Sequence, residues 1–127
     1  MTIRRSLGLL IVAAIVACAS PRIASAHAFP SSEKPRAGST LRSCPSEVSI
    51  SFEAPVESLF AKIQVIDEDG RIASEGEPRV SPDHRNLSIP LKQHLPPGDY
   101  TVKWSIVAED GHRTEGSFSF TVADPGP

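Results

Sequence analysis

Short runs in which apolar and polar residues alternate are the feature that most constrains the fold of this chain. Alternation with a period of two predicts a β-strand that buries one face, and no stretch after residue 26 shows the period of an α-helix. Such a pattern predicts an all-β domain. The runs centre on Val48, Ile50 and Phe52; Ala61, Ile63 and Val65; Leu87, Ile89 and Leu91; Tyr100, Val102, Trp104 and Ile106; and Phe118, Phe120 and Val122.

Turn-forming residues lie where these strands would have to reverse. Asp69-Gly70 follows the second run, Pro96-Pro97-Gly98 precedes the fourth, and Asp110-Gly111 follows it. Strands this short, with no helices between them, favour an antiparallel Greek-key β-sandwich of about seven strands over a closed barrel.

Four details of this sandwich are predicted from individual residues. Tyr100, directly after a Pro-Gly turn, is typical of a tyrosine corner, and Trp104 is the predicted centre of the core. Pro90 predicts that its run is an edge strand, because proline cannot donate to a ladder of hydrogen bonds. Residues 71–86, which include Glu75, Gly76, Glu77, Pro78 and Pro82, predict a long polar connection.

The first residues of the chain predict a secretory signal peptide. Arg4 and Arg5 precede an uncharged apolar run from Leu7 to Ala19, and Ala24-Ser25-Ala26 supplies the small residues of a cleavage site. We therefore expect residues 1–26 to be removed on export to the periplasm.

Cleavage there would leave a domain over residues 27–123 and a flexible tail over 124–127. The alternative is a lipoprotein box that ends at Cys18. In that case the protein would be lipid-anchored and His27 would have no free amine.

The charge and cysteine content of the mature chain restrict its partners. Removing Arg4, Arg5 and Arg22 leaves 10 basic against 15 acidic residues, a net charge of −5 with histidine neutral. An acidic surface argues against nucleic acid and anionic lipid as partners. Cys44 is then the only cysteine, so no intrachain disulfide forms. We expect Cys44 to be buried beside Pro45 and the protein to be a monomer.

Three residues carry the chemistry expected of a metal site. His27, as the new first residue, offers an α-amine and an imidazole nitrogen that can chelate one ion. Asp110 and His112 are two residues apart, so in an extended segment their side chains emerge on the same side. Three nitrogens and one carboxylate oxygen suit Cu(II), which prefers tetragonal nitrogen and oxygen coordination. His84 and His94 are predicted to be solvated loop residues, with a second, weaker metal site left open.

Several segments of the chain together carry a family resemblance. They are His27-Ala28-Phe29, Ser31-Ser32, the run from Pro35 to Leu41, the run from Val48 to Glu57, the run from Leu95 to Trp104, and Asp110-Gly111-His112 before the strand from Gly116 to Phe120. These segments resemble the CopC family of periplasmic copper-binding proteins. The resemblance implies a cupredoxin-like or immunoglobulin-like sandwich that holds one Cu(II) per chain in a histidine brace formed by the His27 amine and ring, the His112 ring and an Asp110 oxygen. It also implies an inner-membrane copper transporter of the CopD type as a partner.

Two departures from the family pattern refine what is expected. Ala54 stands where some members carry a glutamate, and the only methionine is Met1 in the leader, whereas other members carry a methionine-rich loop for Cu(I). Because Cu(I) favours soft sulfur ligands, we predict a site for Cu(II) alone, and blue-copper electron transfer is disfavoured for the same reason.

The predicted function is capture of copper without turnover, for sequestration or delivery. The reference pKa values are about 8 for an α-amine and about 6.5 for imidazole, so binding should weaken as pH falls. Two alternatives are a copper-dependent oxidative enzyme that uses the same brace, and a metal-free secreted sandwich used in adhesion or assembly. An enzyme would need an open copper position and a substrate surface, whereas the aromatic residues here follow the buried alternation.

Overall fold

The computed structural model describes residues 28–124, which form two packed β-sheets and one short 3-10 turn. One sheet has the order β1-β3-β6-β5 and the other β2-β8-β7-β4, which confirms the predicted β-sandwich. Within this range no helix is long and apolar enough to cross a bilayer. The strands are β1 Pro30–Lys34, β2 Thr40–Leu41, β3 Glu47–Phe52, β4 Lys62–Ile66, β5 Arg79–Val80, β6 Asn86–Pro90, β7 Gly98–Val107 and β8 Arg113–Val122, and the 3-10 turn is Ser58–Phe60.

The core is built from the alternating residues that the sequence singled out. Along β7 the inward side chains are buried while Thr101, Lys103 and Ser105 between them are not. Trp104 packs edge-to-face on Phe52 of the opposite sheet, with ring centroids 5.5 Å apart, so these two rings join the sheets. The inward residues of β7 are Tyr100, Val102, Trp104 and Ile106.

The predicted tyrosine corner is present. The Tyr100 hydroxyl donates a hydrogen bond to the Pro96 carbonyl oxygen, and its ring stacks on Phe120 at 5.5 Å. This ties the start of β7 to the preceding turn, so that the strand begins at Gly98.

The prediction that the strand containing Pro90 is an edge strand is wrong. This strand, β6, lies between β3 and β5. β5 pairs only with Leu87 and Ser88, and Pro90 is the last residue of β6, beyond the reach of β5. The missing N–H of proline therefore interrupts no ladder.

The polar connection predicted for residues 71–86 is only partly correct. It contains β5, and Ala73 and Ser74 within it are buried. The Ser74 hydroxyl accepts a hydrogen bond from the Val65 amide (3.1 Å), which satisfies two polar groups at once. The pairing of β2 with β8 is another departure, because it is parallel in an otherwise antiparallel arrangement.

Several sequence predictions lie outside the described residues. They are the signal peptide over residues 1–26, the alternative lipid anchor at Cys18, the ligand His27, and residues 125–127 of the predicted tail.

Candidate metal centre

Two segments of the chain meet on the connection over residues 53–57, which follows β3. On one side the Glu53 amide donates to the Phe29 carbonyl oxygen (2.9 Å). On the other side the Glu109 amide donates to the Pro55 carbonyl oxygen (3.2 Å), and Val56 forms a β-bridge with Ala108. The N-terminal segment and the β7–β8 hairpin therefore lie at the same end of the sandwich.

The β7–β8 hairpin closes through a short turn stabilised by its own backbone. The Ala108 amide donates to the His112 carbonyl oxygen and the Gly111 amide to the Ala108 carbonyl oxygen, each at 2.8 Å. Gly111 has φ of 90°, a conformation that residues with a Cβ rarely adopt. The turn thus presents Asp110 and His112 on either side of a glycine that the geometry requires.

The side chains of Asp110 and His112 contact each other, but through a turn and not through the extended segment that the sequence analysis expected. One Asp110 oxygen, Oδ1, accepts from the His112 amide (3.0 Å), and the other, Oδ2, lies 2.9 Å from His112 Nδ1. The Asp110 side chain is 26% exposed and that of His112 is 62% exposed. Because the Asp110 carboxylate contacts both the backbone amide and the ring of His112, it fixes the orientation of that ring.

The first described residues of the chain are fixed at this end of the sandwich. Ala28 is fully buried, and the Phe29 carbonyl oxygen accepts the hydrogen bond from the Glu53 amide. The described chain therefore begins at the end that carries Asp110 and His112.

Within residues 28–124, no group of three or more His, Cys, Asp or Glu side chains is placed to hold a metal ion together. The described range contributes Asp110 and His112, and the predicted set depends on His27, which lies outside it. Completion of the predicted ligand set therefore depends on His27.

His84 lies at the same end, which the sequence did not indicate. Its carbonyl oxygen accepts from the Val56 amide (2.8 Å), and its Nδ1 lies 3.8 Å from Oε1 of Glu109. The side chain is 43% exposed, so the prediction of a solvated loop residue holds only in part.

Cys44 and His94 line a surface cavity of about 460 Å³ at the opposite end of the sandwich. They lie near Ser46, before β3 begins, whereas the candidate centre lies beyond Phe52, where β3 ends. Six residues of strand span about 20 Å, so Cys44 is remote from Asp110 and His112. Burial raises the pKa of the half-buried Cys44 thiol, whose Sγ donates to the Pro45 carbonyl oxygen (3.4 Å).

Comparison with known proteins gives one matching family and several relatives. Residues 31–123 match the CopC domain. The chain is 33% identical over 109 residues to the copper transport protein CutJ of Bacillus subtilis (strain 168), covering 84% of this chain and 20% of that protein. It is 32% identical over 98 residues to protein YobA of Escherichia coli (strain K12), covering 76% of this chain and 79% of that protein. The chain thus spans about a fifth of the Bacillus relative.

Solved structures agree with the fold. The crystal structure of CopC from Methylosinus trichosporium OB3b has a TM-score of 0.69 and 27% identity, covering 80% of this chain and 98% of that one. PcoC, a methionine-rich copper resistance protein from Escherichia coli, has a TM-score of 0.66 and 23% identity, covering 76% and 98%.

Proposed function

Because this chain belongs to the CopC domain family, we propose that it is a periplasmic protein that binds one Cu(II) ion for sequestration or delivery and catalyses no reaction. The name of the Bacillus relative, a copper transport protein, supports a copper-related function. The proposed ligands are the amine and ring of His27, the ring of His112 and a carboxylate oxygen of Asp110.

The observation that carries this proposal is the shared attachment of Phe29 and Glu109 to residues 53–57. His27 lies two residues before Phe29, and Asp110 directly follows Glu109. The sequence neighbours of proposed ligands more than 80 positions apart thus attach to one short connection, which supports a shared site. Removal of the leader at residue 26 would supply the free amine that an internal His27 lacks.

The spacing of Asp110 and His112 fits joint coordination of one ion. Two adjacent ligands, each about 2.0 Å from a shared cation, lie about 2.8 Å apart. The observed separation of Oδ2 and Nδ1 is 2.9 Å. Joint coordination would therefore need little movement of either side chain, and binding should weaken as pH falls because protons compete with a metal for nitrogen and carboxylate ligands.

The partner that we propose is a membrane copper transport protein of the CopD type. In the Bacillus relative the region similar to this chain occupies only a fifth of a copper transport protein. That similarity supports a copper transport protein as the partner of this domain. The protein would then hold Cu(II) as cargo, as a monomer.

Separate titrations of the mature protein with Cu(II) and Cu(I) test this function. We expect one tightly bound Cu(II) per chain and weaker binding of Cu(I), because residues 27–127 contain no methionine and their single thiol lies at the far end of the fold. Competition with a chelator of known affinity measures both constants. Failure to bind Cu(II), or tighter binding of Cu(I), would contradict the proposal.

A further inference from the structure

The turn over residues 81–86 is held rigid by bonds among its own residues. The Ser81 amide donates to the Asn86 carbonyl oxygen (2.9 Å) and the Asn86 amide to the Ser81 hydroxyl (3.0 Å). The Ser81 hydroxyl in turn donates to Asp83, and this bond is the main cause of the lowered pKa of that carboxyl. The backbone position from which a side chain of this turn extends is therefore fixed.

His84 is the residue that this turn presents toward the β7–β8 hairpin. Its amide donates to the Ser81 carbonyl oxygen (2.8 Å) and its carbonyl oxygen accepts from Val56 (2.8 Å), while Val56 bridges to Ala108. His84 has φ of 60°, the left-handed conformation that is unfavourable for a residue with a Cβ. The backbone bonds on both sides hold it there, with its ring beside Glu109.

The Nδ1 atom of His84 is shielded from solvent and has no hydrogen-bond partner among residues 28–124. Glu109 Oε1 lies 3.8 Å away, too far for a hydrogen bond. A shielded ring nitrogen without a hydrogen-bond partner destabilises the folded state. A ligand that binds this nitrogen would therefore stabilise the arrangement. The His84 side chain as a whole is 43% exposed and that of Glu109 is 54% exposed, so the pair lies at the protein surface although Nδ1 itself is shielded.

We propose that His84 Nδ1 and Glu109 Oε1 form a second, weaker site for a divalent cation, with Cu(II) the preferred occupant. Two ligand atoms that each lie about 2.0 Å from one cation are about 2.8 Å apart when they are adjacent and about 4.0 Å apart when they are opposite. The observed 3.8 Å falls inside this range. Among the common divalent ions, Cu(II) binds imidazole and carboxylate ligands most strongly. The site uses none of the ligands proposed for the first ion.

Titration beyond one equivalent of Cu(II) tests this site. The mature protein and its His84→Asn and Glu109→Gln variants are titrated with Cu(II) alone at neutral pH, and bound copper is followed by equilibrium dialysis and by electron paramagnetic resonance. Asparagine tolerates the left-handed conformation, so His84→Asn removes the imidazole without new backbone strain. The matched control is His94→Asn, because His94 also has a positive φ, 61°, but lies at the opposite end.

The wild type is expected to bind a second Cu(II) more weakly than the first. Loss of an outer-shell partner already costs about 10–100-fold in metal affinity, so loss of a ligand should weaken the second site at least tenfold. His84→Asn and Glu109→Gln should both do so and leave the first site intact, and His94→Asn should change neither.

The site would be disproved if the wild type held only one Cu(II), or if the second ion survived His84→Asn. Loss of the second ion in His94→Asn would equally place it elsewhere. His112→Ala separates this proposal from the proposed function, because it should remove the first ion and leave the second. A protein that fails to bind the first ion yet loses a weak one in His84→Asn would support this site alone.

Discussion

Replacing His112 with alanine is expected to weaken Cu(II) binding at least about 100-fold. His112 contributes one of the imidazoles in the proposed set, and the Asp110 carboxylate that it orients would lose its contact with the ring. Even outer-shell changes cost about 10–100-fold in metal affinity, and this change removes a ligand. Competition titration measures the loss. The side chain is 62% exposed, so the free energy of unfolding without metal should change little.

Asp110→Asn refines this test, and His94→Ala is its control. Asparagine keeps an oxygen that can accept from the His112 amide but removes the negative charge. A loss of affinity in Asp110→Asn with an unchanged fold indicates that the charge acts on the metal. His94→Ala removes a histidine at the other end of the sandwich and should leave binding unaltered. Undiminished Cu(II) affinity in His112→Ala would exclude His112 as a ligand.

Replacing Gly116 with valine is expected to lower the free energy of unfolding by about 3 kcal/mol, at the upper end of overpacking effects. Gly116 pairs with Trp104 across β7 and β8. A Cβ at Gly116 would lie 2.7 Å from Cζ2 and 3.0 Å from Cε2 of the Trp104 indole. The indole is 8% exposed and packs on Phe52, so it has little room to move.

Strand propensity predicts the opposite result for this substitution, because valine is favoured over glycine in strands. Thermal unfolding decides between the two effects, and a fall of more than about 10 °C is expected for a domain of this size. Ser117→Val is the control, since Ser117 is the next residue on β8 and is exposed. It should change stability by less than about 0.5 kcal/mol. A Gly116→Val protein as stable as the wild type would show that Trp104 relocates freely.

Local pattern was sufficient to predict most of the core and the hairpin of the candidate site. The buried face of β7 follows from a sequence period of two alone. The hydrogen bond from the Tyr100 hydroxyl to the Pro96 carbonyl oxygen requires only the turn directly before Tyr100. The contact between Asp110 and His112 has the same local character, because both residues belong to one turn.

Features that depend on distant partners could not be predicted in this way. Ser74 is polar, and its buried hydroxyl is satisfied by the Val65 amide of β4, nine residues earlier in the chain. The approach of His84 to Glu109 depends on two further contacts, His84 with Val56 and Val56 with Ala108. Neither contact can be predicted from the residues near His84 in sequence.

The most direct test of the central claim compares two forms of the mature protein. One begins at His27, and the other carries a single glycine before His27, which turns the amine of His27 into an amide. Retained copper is measured by native mass spectrometry after one equivalent of Cu(II) and a competing chelator. Loss of a chelating ligand predicts that the first form keeps one Cu(II) and that the extended form keeps little or none. Equal retention by both forms would contradict a site built on the His27 amine.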